Sequence, residues 1–208
     1  SIRNANSLLD NIDNVTTLPL EKVEQFRAEA RFVRAADYYF LWSLFGPVPL
    51  ITTTDSLSLQ PKRANDEAFN TFITTEFLEA AEKLPLTQSL YGKATKGAAL
   101  ALLGEYYLNT HQWQQAADIN KQVMELKQYS LFTGDIKNMF AVENEQNAEV
   151  VFTSPSLPTL SGNLYMAHAF PPNYPIQSNW INYGAQFCIY NDRVKTYDQN
   201  DKFLIIRI

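Results

Sequence analysis

A run of 26 residues from Leu20 to Phe45 constrains this chain more than any other feature. Its apolar and aromatic residues extend over most of the girth of a helix, and Phe45-Gly46-Pro47-Val48-Pro49 then stops it. Glycine frays a helix end, and proline lacks the amide a helix needs. A helix apolar on so many sides cannot lie on a surface and must be buried between other helices. Val23, Phe26, Ala30, Val33, Phe40 and Leu44 recur at helical spacing as its inward stripe, with Phe32, Ala36 and Tyr39 widening it. Arg27, Arg31 and Arg34 also lie on it. With Glu24 and Asp37 three residues from Arg27 and Arg34, local ion pairing is expected ahead of a ligand-binding arginine row.

The segment Ala36-Asp37-Tyr38-Tyr39-Phe40 is echoed by Gly104-Glu105-Tyr106-Tyr107-Leu108, 68 residues later. That is twice the tetratricopeptide period of 34. The spacing around the echo fits. Leu103-Gly104 and Tyr107 lie on a helix over 95–109, and Ala116 lies on a second over 113–127. Thr110-His111-Gln112 leaves so short a link that the two must pack antiparallel. Trp113, Ala116, Ile119, Val123 and Leu126 should face inward. Gly97, Ala98, Ala101 and Gly104 keep the first helix slim for a close neighbour, and Asn120 stands where the repeat wants a large apolar residue.

The rest follows from local signals. Residues 2–13 read as a short helix with Ile2, Ala5, Leu8, Leu9 and Ile12 on one face. Residues 47–65 form a loop in which Val48 to Ile51 packs back as a short strand. Asn65-Asp66-Glu67 starts a helix, with Phe69, Ile73, Phe77, Ala80 or Ala81 and Leu84 inward and Pro85 ending it. Tyr129 to Phe132 turns and docks, Asp135 to Phe140 forms a short helix, and Glu149 to Thr153 is the clearest strand. Residues 154–186 are irregular and rich in proline, aromatics and amides. The terminal Phe203-Leu204-Ile205-Ile206 has nothing after it to pack on, which points to a cut within a larger domain. The expected organisation is a helical scaffold over 1–153 and a loop-rich segment over 154–208. The fold class is all-α, with tetratricopeptide-like hairpins, long irregular loops and minor β.

Composition excludes several functions. The net charge of −5 and the lack of a Lys/Arg cluster argue against nucleic acid. Cys188 is the only cysteine, so an intrachain disulfide, a zinc cluster and a redox motif are excluded. No run is long and apolar enough to span a bilayer. His111 and His168 have no partner at metal-binding spacing. Phosphate-loop, dinucleotide and nucleophile-elbow motifs are absent. Asp198 and Asp201 are a weak acid/base or cation pair. The expectation is no catalytic residue, no metal and no cofactor.

The positive signal is the mixture of rings and amides over 163–187. A sugar ring offers a C–H face to aromatic planes and a hydroxyl rim to Asn and Gln. Tyr165, Tyr174, Trp180, Asn182 and Tyr183 are the candidate ligand contacts.

Several runs, in order, resemble the SusD/RagB family of glycan-binding outer-membrane lipoproteins. They are Glu29-Ala30-Arg31-Phe32 with Arg34-Ala35 and Tyr38-Tyr39-Phe40, Leu44 to Leu50, Leu78-Glu79-Ala80-Ala81 with Leu84-Pro85, and Ala94 to Leu103. Trp113 with Ala116-Ala117, Tyr129-Ser130-Leu131, and Asn147 with Glu149 to Phe152 complete them. Asp198 to Lys202 is similar more loosely. The resemblance covers about residues 2–153. It implies a non-catalytic protein on the outward face of the outer membrane, held by an N-terminal lipid anchor that this sequence does not contain. Its role would be to bind oligosaccharide or another nutrient and deliver it to a SusC-like TonB-dependent transporter. It implies a longer parent chain, and it transfers no binding residue. Two other readings stand beside it: a tetratricopeptide-like scaffold for protein partners, and a glycan hydrolase, which would need two carboxylates flanking a cleft.

Overall fold

The computed structural model describes residues 2–55 and 60–155. Six α-helices follow one another: α1 (Ile2–Asn11), α2 (Leu20–Phe45), α3 (Asp66–Lys83), α4 (Lys96–Asn109), α5 (Trp113–Glu125) and α6 (Ile136–Met139). Short 3-10 turns occupy Ile12–Asn14 and Val142–Asn144. Helix α1 packs on α2, α2 on α3, α3 on α4 and α4 on α5, as a series of helical hairpins. Among the described residues no strand forms, and no helix is long and apolar enough to cross a membrane. The chain divides after Ser154.

Capping chemistry sets the helix ends. Asn65 Oδ1 accepts from the amide of Ala68 at 2.7 Å to start α3, and the Thr95 hydroxyl does the same for Ala98 at 3.2 Å to start α4. Each removes one of the donors a helix leaves unpaired at its first turn. Helix α2 stops at Gly46, whose φ of 69° and ψ of −164° belong to a region essentially reserved for glycine. Its amide closes on the Trp42 carbonyl at 2.8 Å. The Arg63 guanidinium donates to the Phe45 carbonyl at 2.5 Å, placing a cation at the negative end of the helix dipole.

The core lies between α2, α3 and α4. Phe69, Ile73, Phe77, Ala80, Ala81 and Leu84, the stripe expected on α3, are all buried. Against them α2 presents Phe32, Ala35 and Tyr38. Phe32 meets Phe77 edge-on at 6.2 Å, and Tyr38 meets Phe69 and Phe72 in the same way. Rising numbers on α2 thus pair with falling numbers on α3, so the two run antiparallel.

The inward face of α2 differs from the expected stripe. Val23 and Ala30 are buried, but Val33, Phe40 and Leu44 are exposed, Phe40 by 64% and Leu44 by 59%. The buried set includes Arg34 and Tyr38 instead. With apolar residues on every side, hydrophobicity alone does not set the phase of this helix, and a stripe drawn from apolar spacing comes out rotated. Arg34 tolerates burial because its guanidinium donates three hydrogen bonds and faces a carboxylate. It donates to Glu76 Oε2 at 2.7 Å, to Asn6 Oδ1 at 3.0 Å and to the Thr52 carbonyl at 3.1 Å. It also lies over the Phe72 ring, 5.6 Å from its centroid. Arg31 donates to the other oxygen of Glu76 and pairs with Glu79 at 2.8 Å. Local pairing along α2 holds for Arg27 and Glu24 at 3.3 Å, whereas Arg31 and Arg34 reach across to α3. Glu76 was not singled out in the sequence. It is the counter-ion of the core.

The close approaches to α4 are where the small residues are. A Cβ on Gly104 would fall 2.6 Å from Asn120 Oδ1, and one on Gly97 only 2.2 Å from the Tyr129 hydroxyl. Asn120 replaces the large residue of the repeat because its amide lies flat over Gly104 while donating to the Ala116 carbonyl at 2.9 Å. Of the paired tyrosines, Tyr106 is the buried one and Tyr107 is half-buried. Tyr39 packs edge-on to Tyr106 at 5.7 Å; its hydroxyl donates to Glu105 and accepts from Asn109. Burial, and then the Glu105 carboxylate, push the Tyr39 phenol up to about 12. Burial carries Tyr106 to about 12 as well.

Three further expectations are corrected. Trp113 is 59% exposed, because it opens α5 beside the turn, and its ring tilts onto His111 at 5.0 Å. His111 takes φ 60°, and its amide bonds the Leu108 carbonyl at 3.1 Å. Val48 to Ile51 does pack back, but through the Tyr38 hydroxyl, which accepts from the Ile51 amide at 2.7 Å, and not as a strand. Glu149 to Thr153 is not a strand: Glu149 lies in a turn closed by the Val150 amide on the Asn147 carbonyl at 3.1 Å, and the residues after it form no regular element. Beta propensity reflects the fit to a neighbouring strand, and no strand runs alongside it among the described residues.

Candidate functional site

The connection from α3 to α4 builds one wall of a cleft. Pro85 cannot extend α3, and its carbonyl accepts from the Lys96 amide at 2.9 Å, closing residues 85–96 into a loop. Gly92, with φ 85°, makes the sharp turn inside it. The Gln88 amide pins the loop from within, donating to Glu29 and to the Ala94 carbonyl. Tyr91 is held by its hydroxyl, which donates to the Glu145 carbonyl at 2.7 Å.

The opposite wall comes from the chain after α5. Lys127 adopts φ 54° and turns the backbone. Tyr129 then lies over Gly97 at the start of α4, with its hydroxyl 3.3 Å from that of Thr95. The Ser130 amide donates to the Ala148 carbonyl at 3.0 Å, and the Phe132 amide to the Glu149 carboxylate at 2.8 Å. These bonds lay Val150 to Thr153 along the cleft, and the Phe152 ring meets Phe32 edge-on at 5.1 Å. Between the walls is a space of about 200 Å³, whose lining includes Thr87, Tyr91, Thr95 and Tyr129, the leucines Leu86 and Leu90, and Val150 to Thr153.

Two other clefts have different chemistry. One of about 570 Å³ lies between α1, α2 and the loop at 48–54, and its lining is mainly apolar. Of its polar members, Asn6 is bonded to Arg34 and to the Ile51 carbonyl. The Asp10 carboxylate near its rim accepts from the amide and hydroxyl of Thr54 and the hydroxyl of Thr53. Those bonds, the Thr54 amide foremost, hold its pKa below the usual aspartate value.

The third cleft, of about 230 Å³, is charged and lies between α2 and α3. Its carboxylates each face a cation: Glu24 faces Arg27, Glu79 faces Arg31 and Glu82 faces Lys83. A glycosidic general acid needs the reverse, a carboxyl held protonated by its surroundings. Among the described residues no group of three metal-ligating side chains converges.

Tyr165, Tyr174, Trp180, Asn182 and Tyr183, the contacts expected from the sequence, lie outside the described residues. The structure instead draws attention to Thr87, Tyr91 and Tyr129. Tyr129 belongs to a family-like run, and no motif marks Thr87 or Tyr91. The available signal was a tyrosine before a turn glycine in a loop opened by proline, together with Gly97 at the start of the next helix.

Comparison with known proteins follows the scaffold. A family model described as starch-binding associating with outer membrane matches residues 1–108. A SusD-like protein of Formosa agariphila is 27% identical over 73% of this chain and 29% of its own length. A SusD-like protein of Bacteroides ovatus is 27% identical over 70% of this chain and 29% of its own. The chain thus spans under a third of the length of these two relatives. Among solved structures, a SusD superfamily protein of Parabacteroides distasonis superposes with a TM-score of 0.81 at 26% identity, covering 97% of this chain and 45% of that one. A laminarin-binding SusD-like protein superposes with a TM-score of 0.67 at 30% identity, covering 73% of this chain and 34% of that one.

Proposed function

The chain belongs to the SusD-like family, and from that premise we propose that it serves to bind oligosaccharide at the bacterial cell surface without cleaving it. The observation that carries this reading is the laminarin-binding relative, which shares 30% of its residues and the helical scaffold over 73% of this chain. The charged cleft supports the non-catalytic part, since its carboxylates are neutralised by cations. The aromatic and amide residues Tyr165, Tyr174, Trp180, Asn182 and Tyr183 are proposed as sugar contacts on their chemistry.

The finer role is the family's: an outward-facing lipoprotein of the outer membrane that hands its ligand to a SusC-like TonB-dependent transporter.

Calorimetric titration with maltohexaose and laminarihexaose tests the binding. Saturable uptake of either, with no new reducing ends after long incubation, is the expected result. Trp180→Ala and Tyr183→Ala should each weaken it about tenfold or more, the scale of a lost stacking contact. Binding of neither sugar would overturn the reading, as would cleavage lost on removing one carboxylate. Co-purification with a TonB-dependent transporter from outer membranes tests the hand-off.

A further inference from the structure

The cleft between the 85–96 loop and residues 150–153 is built in a way that the packing of the helices does not require. Three features set it apart from the other two. Its rings are rigid. The Tyr91 hydroxyl is fixed to the Glu145 carbonyl at 2.7 Å, and Tyr129 is seated on Gly97 beside Thr95. Some of its hydrogen-bonding groups have no partner among the described residues. The Thr87 and Thr153 hydroxyls, and the backbone amides and carbonyls of Val151, Phe152 and Thr153, have no hydrogen-bond partner among the described residues. Finally, these groups are held in place. Glu149 is tied to the Phe132 amide just before them, and Phe152 rests on Phe32.

Tethered aromatic rings beside a row of donors and acceptors that have no partner among the described residues match one ligand class well. A neutral pyranose has an apolar C–H face and a rim of hydroxyls that both donate and accept. Backbone amides and carbonyls in alternation suit such a rim, and threonine hydroxyls adapt to either role. Preorganised groups also bind with little further ordering cost. The space of about 200 Å³ is below the range of sites for larger ligands and has room for about one ring.

We propose that this cleft is a carbohydrate subsite that takes one neutral sugar ring of a bound glycan, between Tyr91 and Tyr129 and against the open backbone of Val151 to Thr153. The proposal rests on the glycan-binding reading above and adds a site on the helical scaffold, apart in sequence from the aromatic run at 165–183. Tyr91 and Tyr129 supply the ring faces. Thr87 stands at the exposed side of the cleft and Thr153 at the end of the backbone wall.

The test is a titration of the whole chain, labelled with nitrogen-15, with laminarihexaose and maltohexaose, following backbone amide shifts alongside calorimetry. The amides of Val151, Phe152 and Thr153 should shift saturably with at least one sugar. Thr87→Trp, which fills the cleft from an exposed position, should abolish those shifts while leaving the melting temperature unchanged. Tyr91→Ala should weaken them at least tenfold, and Tyr91→Phe, which keeps the ring, should restore most of the loss. If calorimetry records glycan binding while these three amides stay still, or if Thr87→Trp leaves their shifts intact, the subsite is refuted and the glycan-binding reading survives. If neither sugar binds at all, both fall together.

Discussion

Removing the counter-ion at the centre of the scaffold gives the sharpest test of how it is held. Glu76 is 3% exposed and receives both Arg31 and Arg34, the latter at 2.7 Å. Through Arg34 the same network reaches Asn6 on α1 and the Thr52 carbonyl in the loop after α2. Glu76→Ala leaves a buried guanidinium without its neutralising partner. Breaking a buried pair from one side costs about 3–5 kcal/mol. For a chain of this size each kcal/mol moves the melting temperature by about 2–4 °C, so a fall of roughly 6–20 °C is expected. Glu76→Gln, which keeps the shape and one acceptor, should lose less. The joint replacement Arg34→Met with Glu76→Leu removes both charges. It should recover most of the loss, because an apolar pair of similar volume is often as stable as a buried ion pair. Urea denaturation followed by circular dichroism measures all three. A loss below about 1 kcal/mol for Glu76→Ala, the level of an exposed pair, would refute the claim that this network is desolvated and joins three elements. So would a double variant no more stable than the single one.

Further outcomes follow from local geometry. Gly46→Ala should cost about 1–3 kcal/mol by denaturant unfolding, since φ 69° with ψ −164° strains any residue bearing a Cβ. Gly97→Ala should destabilise by about 1–3 kcal/mol by displacing the Tyr129 ring. In a Tyr129→Ala background the same change should be neutral or stabilising, because alanine is the better helix former, and a double-mutant cycle reads the coupling. In alkali, Tyr39 and Tyr106 should ionise only near pH 12, later than an ordinary tyrosine near 10. A phenol whose folded pKa is raised contributes stability that is whole below the unfolded value and is lost as pH rises through the folded one. Stability should therefore fall between about pH 10 and pH 12, less steeply in Tyr106→Phe. Ultraviolet difference absorbance and thermal melts at stepped pH follow both.

What the sequence determined by itself was whatever local chemistry decides. Asn65 and Thr95 cap their helices, Gly46 and Pro47 end α2, and the short link at 110–112 folds α4 against α5. The periodic stripe of α3 is buried as its spacing requires, with Glu76 added to it. The run of family-like segments from Glu29 to Phe152 identified the scaffold. Tertiary structure alone decided the points where two surfaces compete. On α2, apolar on every side, burial went to Arg34 and left Phe40 in solvent, because Glu76 on another helix could satisfy the guanidinium. The stretch from Glu149 to Thr153 has strand-like residues but no neighbouring strand among the described residues, so it forms no strand, and Val150 to Thr153 line a cleft instead. That cleft is made by residues drawn from positions 87 to 153, and no pattern in the chain brings Thr87, Tyr129 and Thr153 together. Their proximity depends on Tyr129 having a glycine to rest on and on Glu149 having an amide to accept, contacts between segments far apart in sequence.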